Sequence, residues 1–347
     1  MPAMKGLLHG DGTKGSDSMN RRSETRLLGG VMTALITPFR DDKVDFDALA
    51  DLVDWQIEQG VQGLVVCGTT GESPTLSHSE WTDAIRLCVE AAGGRVSVVA
   101  GSGSNDTRRT IDLTNEAARL GADAALVVTP YYNKPSQEGL FRHFESVGRS
   151  CDLPIILYNV PSRTAVDIGL GTLERLAEVP GVVGLKDATG ELARVGATAA
   201  RFGDRFIQLS GHDRSMLDFV AAGGDGAISV IANVAPALST AMIGAMRHGD
   251  LRQARCIHAH LVPLLEALEL EVNPSPIKFA LHCARGYSPA VRLPMVEVAE
   301  ATALKIRNAL IEVRGIDTPL LGRQGPARLM ARSGSTYRSS YVGSGAL

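Results

Sequence analysis

One lysine stands where lysines are rare. In the stretch Val182-Val183-Gly184-Leu185-Lys186-Asp187-Ala188-Thr189-Gly190, four apolar or small residues lead into Lys186 and a polar turn follows. A short β-branched run of this kind reads as a buried strand, and lysine is almost never fully buried unless paired. Low dielectric disfavours an ammonium, so an amine held there becomes a nucleophile and a candidate Schiff-base former. The competing reading pairs Lys186 with Asp187 at a strand end and lets it reach solvent. Other polar groups follow apolar runs in the same way: Thr37-Pro38, Gly68-Thr69-Thr70-Gly71-Glu72-Ser73, Thr129-Pro130-Tyr131-Tyr132-Asn133, Tyr158 to Thr164 with Arg163, and Ile228-Ser229. Taken singly, Tyr131 and Tyr158 read better as packing, Arg163 as a solvated surface charge, and Thr69-Thr70 as a polar turn. Together, a lysine, phenols, hydroxyls and one arginine suit carbonyl chemistry through an imine, on a substrate bearing a carboxylate. No His/Cys/Asp/Glu set with metal-ligand spacing falls among them. Cys256, His258 and His260 invite a metal reading, but histidines at i and i+2 of a helix point apart.

The elements that must position these residues repeat as a unit. Apolar strands are predicted at about 31–39, 63–67, 96–100, 124–129, 154–159, 182–186, 206–210 and 226–231. Between them, amphipathic helices are predicted at about 47–59, 79–92, 107–120, 137–149, 171–178, 191–202 and 215–222, with another at 236–247 after the last strand. Gly60 and Gly121 close two of them. Near-continuous apolar strands alternating with helices imply a parallel sheet covered by helices. Eight such units over residues 27–248 predict a closed (β/α)8 barrel, an α/β fold of the TIM type. A doubly wound open sheet is the alternative. The one near match to its phosphate turn, Gly101-Ser102-Gly103-Ser104, lacks the third glycine. In the barrel, active-site residues sit at the C-terminal strand ends, which gathers the groups above on one rim. Helical stretches at about 251–268, 275–284 and 295–313 predict a C-terminal helical region over residues 249–315.

Composition bounds the partners. The 347 residues are 44% hydrophobic and 21% charged, with a net charge of -3, which suits a soluble globular chain and offers no basic surface for nucleic acid. No apolar stretch approaches the roughly 20 residues of a membrane helix. The 5 cysteines are widely spaced and mostly flanked by apolar residues, as expected of reduced thiols in the cytoplasm. Residues 1–26 read as an irregular extension without a signal-peptide core, and Met19 is an alternative start. Residues 316–347 read as a disordered tail; its Arg323, Arg328, Arg332 and Arg338 make an anion-binding arm the alternative.

Gly68-Thr69-Thr70-Gly71-Glu72, Tyr158-Asn159-Val160-Pro161 and Gly184-Leu185-Lys186-Asp187 resemble three signature regions of the dihydrodipicolinate synthase and N-acetylneuraminate lyase family of class I aldolases. The likeness runs from about Gly29 to Gly315. Thr69-Thr70, Thr129 to Asn133, Tyr158 to Thr164, Asn273 to Lys278 and Arg292-Leu293-Pro294 resemble its synthase branch in particular. The resemblance implies that Lys186 forms an imine with pyruvate and that Tyr158 carries protons beside it. A phenol is a poor base at its ordinary pKa of about 10, so Thr70 and Tyr132 are implied as relay partners, Tyr132 reaching into a neighbouring subunit. The N–H groups of Thr69 and Thr70 are implied to hold the pyruvate carboxylate, Arg163 to clamp the carboxylate of an aldehyde partner, and the Ile228 carbonyl to lie near the imine. The implied reaction joins pyruvate to L-aspartate-4-semialdehyde, giving 4-hydroxy-tetrahydrodipicolinate for diaminopimelate and lysine biosynthesis. It uses no metal or organic cofactor and is carried by a homotetramer. Two alternatives stay open: a family aldolase acting on a 2-keto-3-deoxy sugar acid or N-acetylneuraminate, and a non-catalytic paralogue that binds a keto acid.

One departure from the family pattern concerns regulation. Some family synthases are inhibited by lysine bound between subunits near the positions of Ser73, His78, Asn105 and Tyr131. A glutamate of that pattern, which meets the inhibitor's ammonium, is here Arg109; a histidine is Trp81, and a small residue is Pro74. A guanidinium facing an ammonium is repulsive. We therefore expect lysine to inhibit weakly or not at all. Loss of half the activity at sub-millimolar lysine, in a steady-state titration, would overturn this expectation.

Overall fold

The computed structural model describes residues 28–320. The predicted extension, residues 1–26, and the stretch 321–347 of the predicted tail lie outside the described residues. The apolar runs become β1 (Gly30–Ala34), β4 (Gly63–Val66), β5 (Ser97–Gly101), β6 (Ala124–Val128), β7 (Ile155–Asn159), β8 (Val182–Asp187), β9 (Ile207–Ser210) and β10 (Gly226–Ser229). They pair in parallel, in chain order, and β1 pairs with both β10 and β4, which closes the predicted barrel. A short antiparallel hairpin, β2 (Phe39–Arg40) with β3 (Lys43–Val44), caps the exit of β1 and was not predicted; two-residue strands leave no periodic trace.

Helices return the chain between strands: α1 (Phe46–Glu58), α2 (His78–Ala92), α3 (Thr107–Arg119), α4 (Gln137–Arg149), the single turn α5 (Pro161–Thr164), α6 (Leu170–Ala177), α7 (Leu192–Phe202), α8 (Met216–Ala221) and α9 (Pro236–Arg247). The first four starts are fixed by side-chain oxygens on otherwise unpaired N–H groups. Asp45 caps α1, Asp106 caps α3 and Ser136 caps α4, while Ser77 and Glu80 form a reciprocal capping box on α2. The C-terminal region is α10 (Leu251–Leu268), α11 (Ser275–Arg285) and α12 (Glu300–Leu320). The last helix begins later than the 295 expected. The chain turns at Arg292–Met295, and the Ala299 N–H is taken by Glu271 Oε1 at 3.0 Å before the helix starts. It also runs beyond residue 315, to Leu320.

Side chains alternate along each strand, so every strand feeds two cores. Val31, Leu64, Val66, Ile155, Leu157 and Leu185 pack outward against the helices. Met32, Val65, Val99, Leu126, Ile156, Tyr158, Leu209 and Ile228 fill the barrel interior. Tyr158 is inside because Leu157 is outside, and the same parity turns Lys186 inward after Leu185. The closing seam carries buried polar groups that must be bonded. Thr33 Oγ1 donates to Gln56 Oε1 at 2.6 Å, and Gln56 Nε2 donates to the Ala232 and Asn233 carbonyls. Asn233 in turn accepts from the Ile36 N–H and donates to the Ala34 carbonyl. Polar cross-links thus bind the last βα loop to the first strand, where the barrel must shut.

Candidate active site

Lys186 and Tyr158 are direct register partners on β8 and β7. Both point into the barrel mouth and are 5% and 6% exposed. Lys186 Nζ lies 4.2 Å from the centroid of the Tyr158 ring. Among the described residues no hydrogen bond or ion pair reaches that nitrogen, and Asp187, the alternative partner, is engaged elsewhere. Space for the lysine is made by Gly211, at the end of β9. A Cβ there would fall 2.9 Å from Lys186 Cε and 2.8 Å from Ala188 Cβ. Ile228, nearly fully buried, lines the same interior on β10.

Beside them lies Asp213, which sequence reasoning missed. Its Oδ2 accepts from the N–H groups of Val230, at 2.9 Å, and Ile231, at 2.7 Å. Burial pushes its carboxyl above the usual range, against the pull of those N–H groups, the Ser229 hydroxyl and the nearby Lys186 charge. The signal was available. Gly211-His212-Asp213 follows β9 as the other polar stretches follow their strands.

The Thr69–Glu72 turn forms the next segment of the rim. Glu72 N–H donates to the Thr69 carbonyl at 3.1 Å, and Thr37 Oγ1 donates to the Gly71 carbonyl at 2.7 Å. Gly71 admits close backbone approach: a Cβ there would lie 3.2 Å from Cys67 Cα and from the Leu35 carbonyl oxygen. The turn leaves the N–H groups of Thr69 and Thr70 without a protein acceptor among the described residues. The Thr70 hydroxyl accepts from Asn273 Nδ2 at 3.0 Å. Glu72, at φ +54°, is held from behind by Lys278 Nζ at 2.5 Å and by the Arg292 N–H at 3.0 Å.

Arg163 stands exposed on α5, and its Nη2 donates to the Asn273 carbonyl at 3.1 Å. Asn273 therefore touches both the Thr70 hydroxyl and the arginine. Tyr132 behaves differently. It has φ +71° and is 89% exposed, and no hydrogen bond joins it or Thr70 to Tyr158 among the described residues. One chain thus brings Lys186, Tyr158, Ile228, Thr69, Thr70 and Arg163 to one barrel end and leaves Tyr132 projecting outward. Around the departures noted in the sequence, Trp81 is buried with its indole N–H on the Gly101 carbonyl at 3.0 Å, and Arg109 is exposed on α3. His258 Nε2 lies 3.2 Å from the Arg214 carbonyl, whereas His260 Nδ1 contacts the Cys256 carbonyl of its own helix.

Comparison with known proteins gives the same pattern over most of the chain. Residues 27–313 match the model of the dihydrodipicolinate synthetase family. A curated relative from Parvibaculum lavamentivorans, 4-hydroxy-tetrahydrodipicolinate synthase, is 53% identical over 284 residues, 82% of this chain and 98% of the relative. Among solved structures, a chloride-inhibited dihydrodipicolinate synthase from Acinetobacter baumannii in complex with pyruvate is 42% identical with a TM-score of 0.81, over 82% of this chain and 99% of that one. A monomeric dihydrodipicolinate synthase variant is 39% identical with a TM-score of 0.82, over 84% of this chain and 99% of that one.

The room that Gly211 leaves can be tested directly. Gly211→Ala should push Lys186 off its position and slow its borohydride-trapped reaction with pyruvate by about tenfold or more, since an error of about 1 Å in a reacting group can cost about 100-fold. Trapping at the wild-type rate would show that the lysine does not depend on that space.

Proposed function

The chain belongs to the dihydrodipicolinate synthetase family, and from that membership we propose that it is a lyase condensing pyruvate with L-aspartate-4-semialdehyde to 4-hydroxy-tetrahydrodipicolinate in lysine and diaminopimelate biosynthesis. The observation that carries the reading is Lys186: a buried amine over the Tyr158 ring, unpaired among the described residues, at the mouth of a closed barrel. In this reading Lys186 Nζ adds to C2 of pyruvate, and the ketone oxygen leaves as water. The resulting iminium draws electrons from the adjacent methyl group, so that one methyl proton departs and an enamine forms. Tyr158 takes that proton, its phenol lying on the neighbouring strand. The enamine carbon then bonds to the aldehyde carbon, whose oxygen gains a proton. The amino group of the same aldehyde attacks C2, closes the ring and releases the lysine.

The remaining groups select and hold the substrates. The N–H groups of Thr69 and Thr70 are free of protein acceptors among the described residues and suit the pyruvate carboxylate. Arg163 has a planar fork suited to the second carboxylate, and the Ile228 carbonyl lines the imine's side of the barrel. The chemistry as written needs neither a metal nor an organic cofactor. Thr70 and Tyr132 complete the proton path, Tyr132 from a neighbouring copy, which fits its exposure. That requires at least one further copy of the chain; the homotetramer is the assembly that the family resemblance implies. No helix among the described residues is long and apolar enough to cross a membrane, and we place the enzyme in the cytoplasm.

Two measurements test the reading. Borohydride with pyruvate should leave a reduced pyruvyl adduct on Lys186, and condensation should outrun cleavage of N-acetylneuraminate and of 2-keto-3-deoxy acids. Either a missing adduct or a faster cleavage would overturn it. A separate dilution series, followed by sedimentation, should show activity per chain falling as the assembly dissociates; a fully active monomer would remove Tyr132 from the path.

A further inference from the structure

Asp187 directly follows the reactive lysine, yet it takes no part in the imine chemistry. Its Oδ1 accepts from the Thr189 N–H and hydroxyl at 2.8 and 2.6 Å, and its Oδ2 accepts from Arg194 Nε at 3.0 Å. Arg194 lies near the start of α7, with its side chain only 13% exposed. Each of its three guanidinium nitrogens meets a different acceptor: Nε meets Asp187, Nη1 meets Asp167 Oδ2 at 3.1 Å, and Nη2 meets the Ile168 carbonyl at 2.8 Å. Asp167 Oδ1 accepts from Asn159 Nδ2 at 2.7 Å, and Asn159 Oδ1 accepts from the Ile168 N–H at 3.1 Å. Asn159 is fully buried and directly follows Tyr158.

The chain of contacts is closed. It runs from Tyr158-Asn159 through Asp167 and Arg194 to Asp187-Lys186, and back across the register pairs Tyr158 with Lys186 and Asn159 with Asp187. The ladder between β7 and β8 ends at this point, with the Ala188 N–H on the Asn159 carbonyl at 2.9 Å. Beyond it, the two strand ends are joined by side chains. We propose that Arg194 is a positioning residue that sets the placement of the Tyr158 phenol relative to the Lys186 imine by tying the ends of β7 and β8 together. Only a planar fork can meet all three acceptors in their present directions, so lysine is not an equivalent. The tie acts on proton transfer between strands and leaves Lys186 itself able to attack pyruvate, since the lysine is oriented by its own strand and by Gly211. The proposal rests on the imine reading above.

The test separates the two steps on the same enzyme. Pyruvate alone, in heavy water, exchanges its methyl protons faster than the enzyme-free rate only if an imine forms and a proton is then removed; borohydride trapping reports the imine by itself. Wild-type protein should do both. Arg194→Lys keeps a cation but loses the fork. Asp167→Asn puts an amide donor against either Asn159 Nδ2 or Arg194 Nη1. Both variants should slow methyl exchange by about tenfold or more while trapping stays within about twofold of wild type, a scale set by the sensitivity of reactions to small misplacement. Exchange at the wild-type rate in Arg194→Lys would overturn the proposal. So would exchange and trapping falling together with the melting temperature, because the arginine would then serve folding alone. If wild-type protein neither traps nor exchanges pyruvate, the imine reading itself fails.

Discussion

Two lysines are buried among the described residues, and the difference between their surroundings organises the rest of the structure. Lys278 is 0% exposed and fully satisfied. Its Nζ meets Glu72 Oε1 at 2.5 Å and the Ala290 carbonyl at 2.7 Å, and lies 4.0 Å from the centre of the Phe39 ring. Burial pushes it down to about 8, against the pull of Glu72. Lys186 has an aromatic face beside it and no hydrogen-bonding partner among the described residues. A buried ion pair is a poor source of stability, and breaking one leaves a costly charge behind. Lys278 is therefore committed to its place, while the amine of Lys186 is left uncommitted toward the barrel mouth. The same residue type serves as a fastener in one case and, on the proposed mechanism, as a reagent in the other.

The fastener acts on the reagent's neighbours. Asn273, Lys278 and the Arg292 backbone reach the Thr69–Glu72 turn at Thr70 Oγ1, Glu72 Oε1 and Glu72 Oε2. The Arg292 side chain extends the grip, bonding the Thr75 carbonyl and both carboxylate oxygens of Glu80, the capping-box residue of α2. Glu80 is accordingly held down to about 2, first by its hydrogen bond to Arg292. The C-terminal helices thus do more than cover the barrel. They hold from behind the turn whose Thr69 and Thr70 N–H groups have no protein acceptor among the described residues, and through the Asn273 carbonyl they also meet Arg163. A barrel supplies strand ends, but a turn at φ +54° without a glycine needs support from outside the strand.

This division explains what could be read in the sequence. The sequence placed Tyr158 and Lys186 at strand ends; that both turn inward is set by the alternation seen in the structure, which near-continuous apolar runs do not display. The order of apolar runs and helices carried the barrel, and the rim followed from it. Contacts made by side chains over long sequence separations left no periodic mark. Glu72 meets Lys278 across 206 residues and the Arg292 N–H across 220. Arg194 reads in sequence as one more charge on an amphipathic helix, and the first-turn position that brings it to two strand ends shows only in three dimensions. Asp213 differs, because Gly211-His212-Asp213 carries a legible signal as a polar stretch directly after an apolar run. Tyr132 is a further case: it is 89% exposed at φ +71° in a loop, and its outward reach was implied by the family resemblance alone, since no pattern of hydrophobicity encodes it.

Asp213 closes the electrostatic logic of the site. An amine that attacks a ketone becomes an iminium and carries a positive charge that must persist while the neighbouring proton leaves. A carboxylate in contact with Lys186 would stabilise the ammonium and blunt the nucleophile. Asp213 instead spends its hydrogen bonds on the Val230 and Ile231 N–H groups, yet remains near enough for the Lys186 charge to act on it. On the proposed mechanism the iminium would form beside a carboxyl whose position is fixed by backbone bonds. The same two bonds fix the chain where it leaves β10 after Ser229, so one residue near Lys186 also holds the backbone at that strand end. That double duty follows from where the strands end: at the mouth of a closed barrel, electrostatics and backbone placement meet in the same few residues.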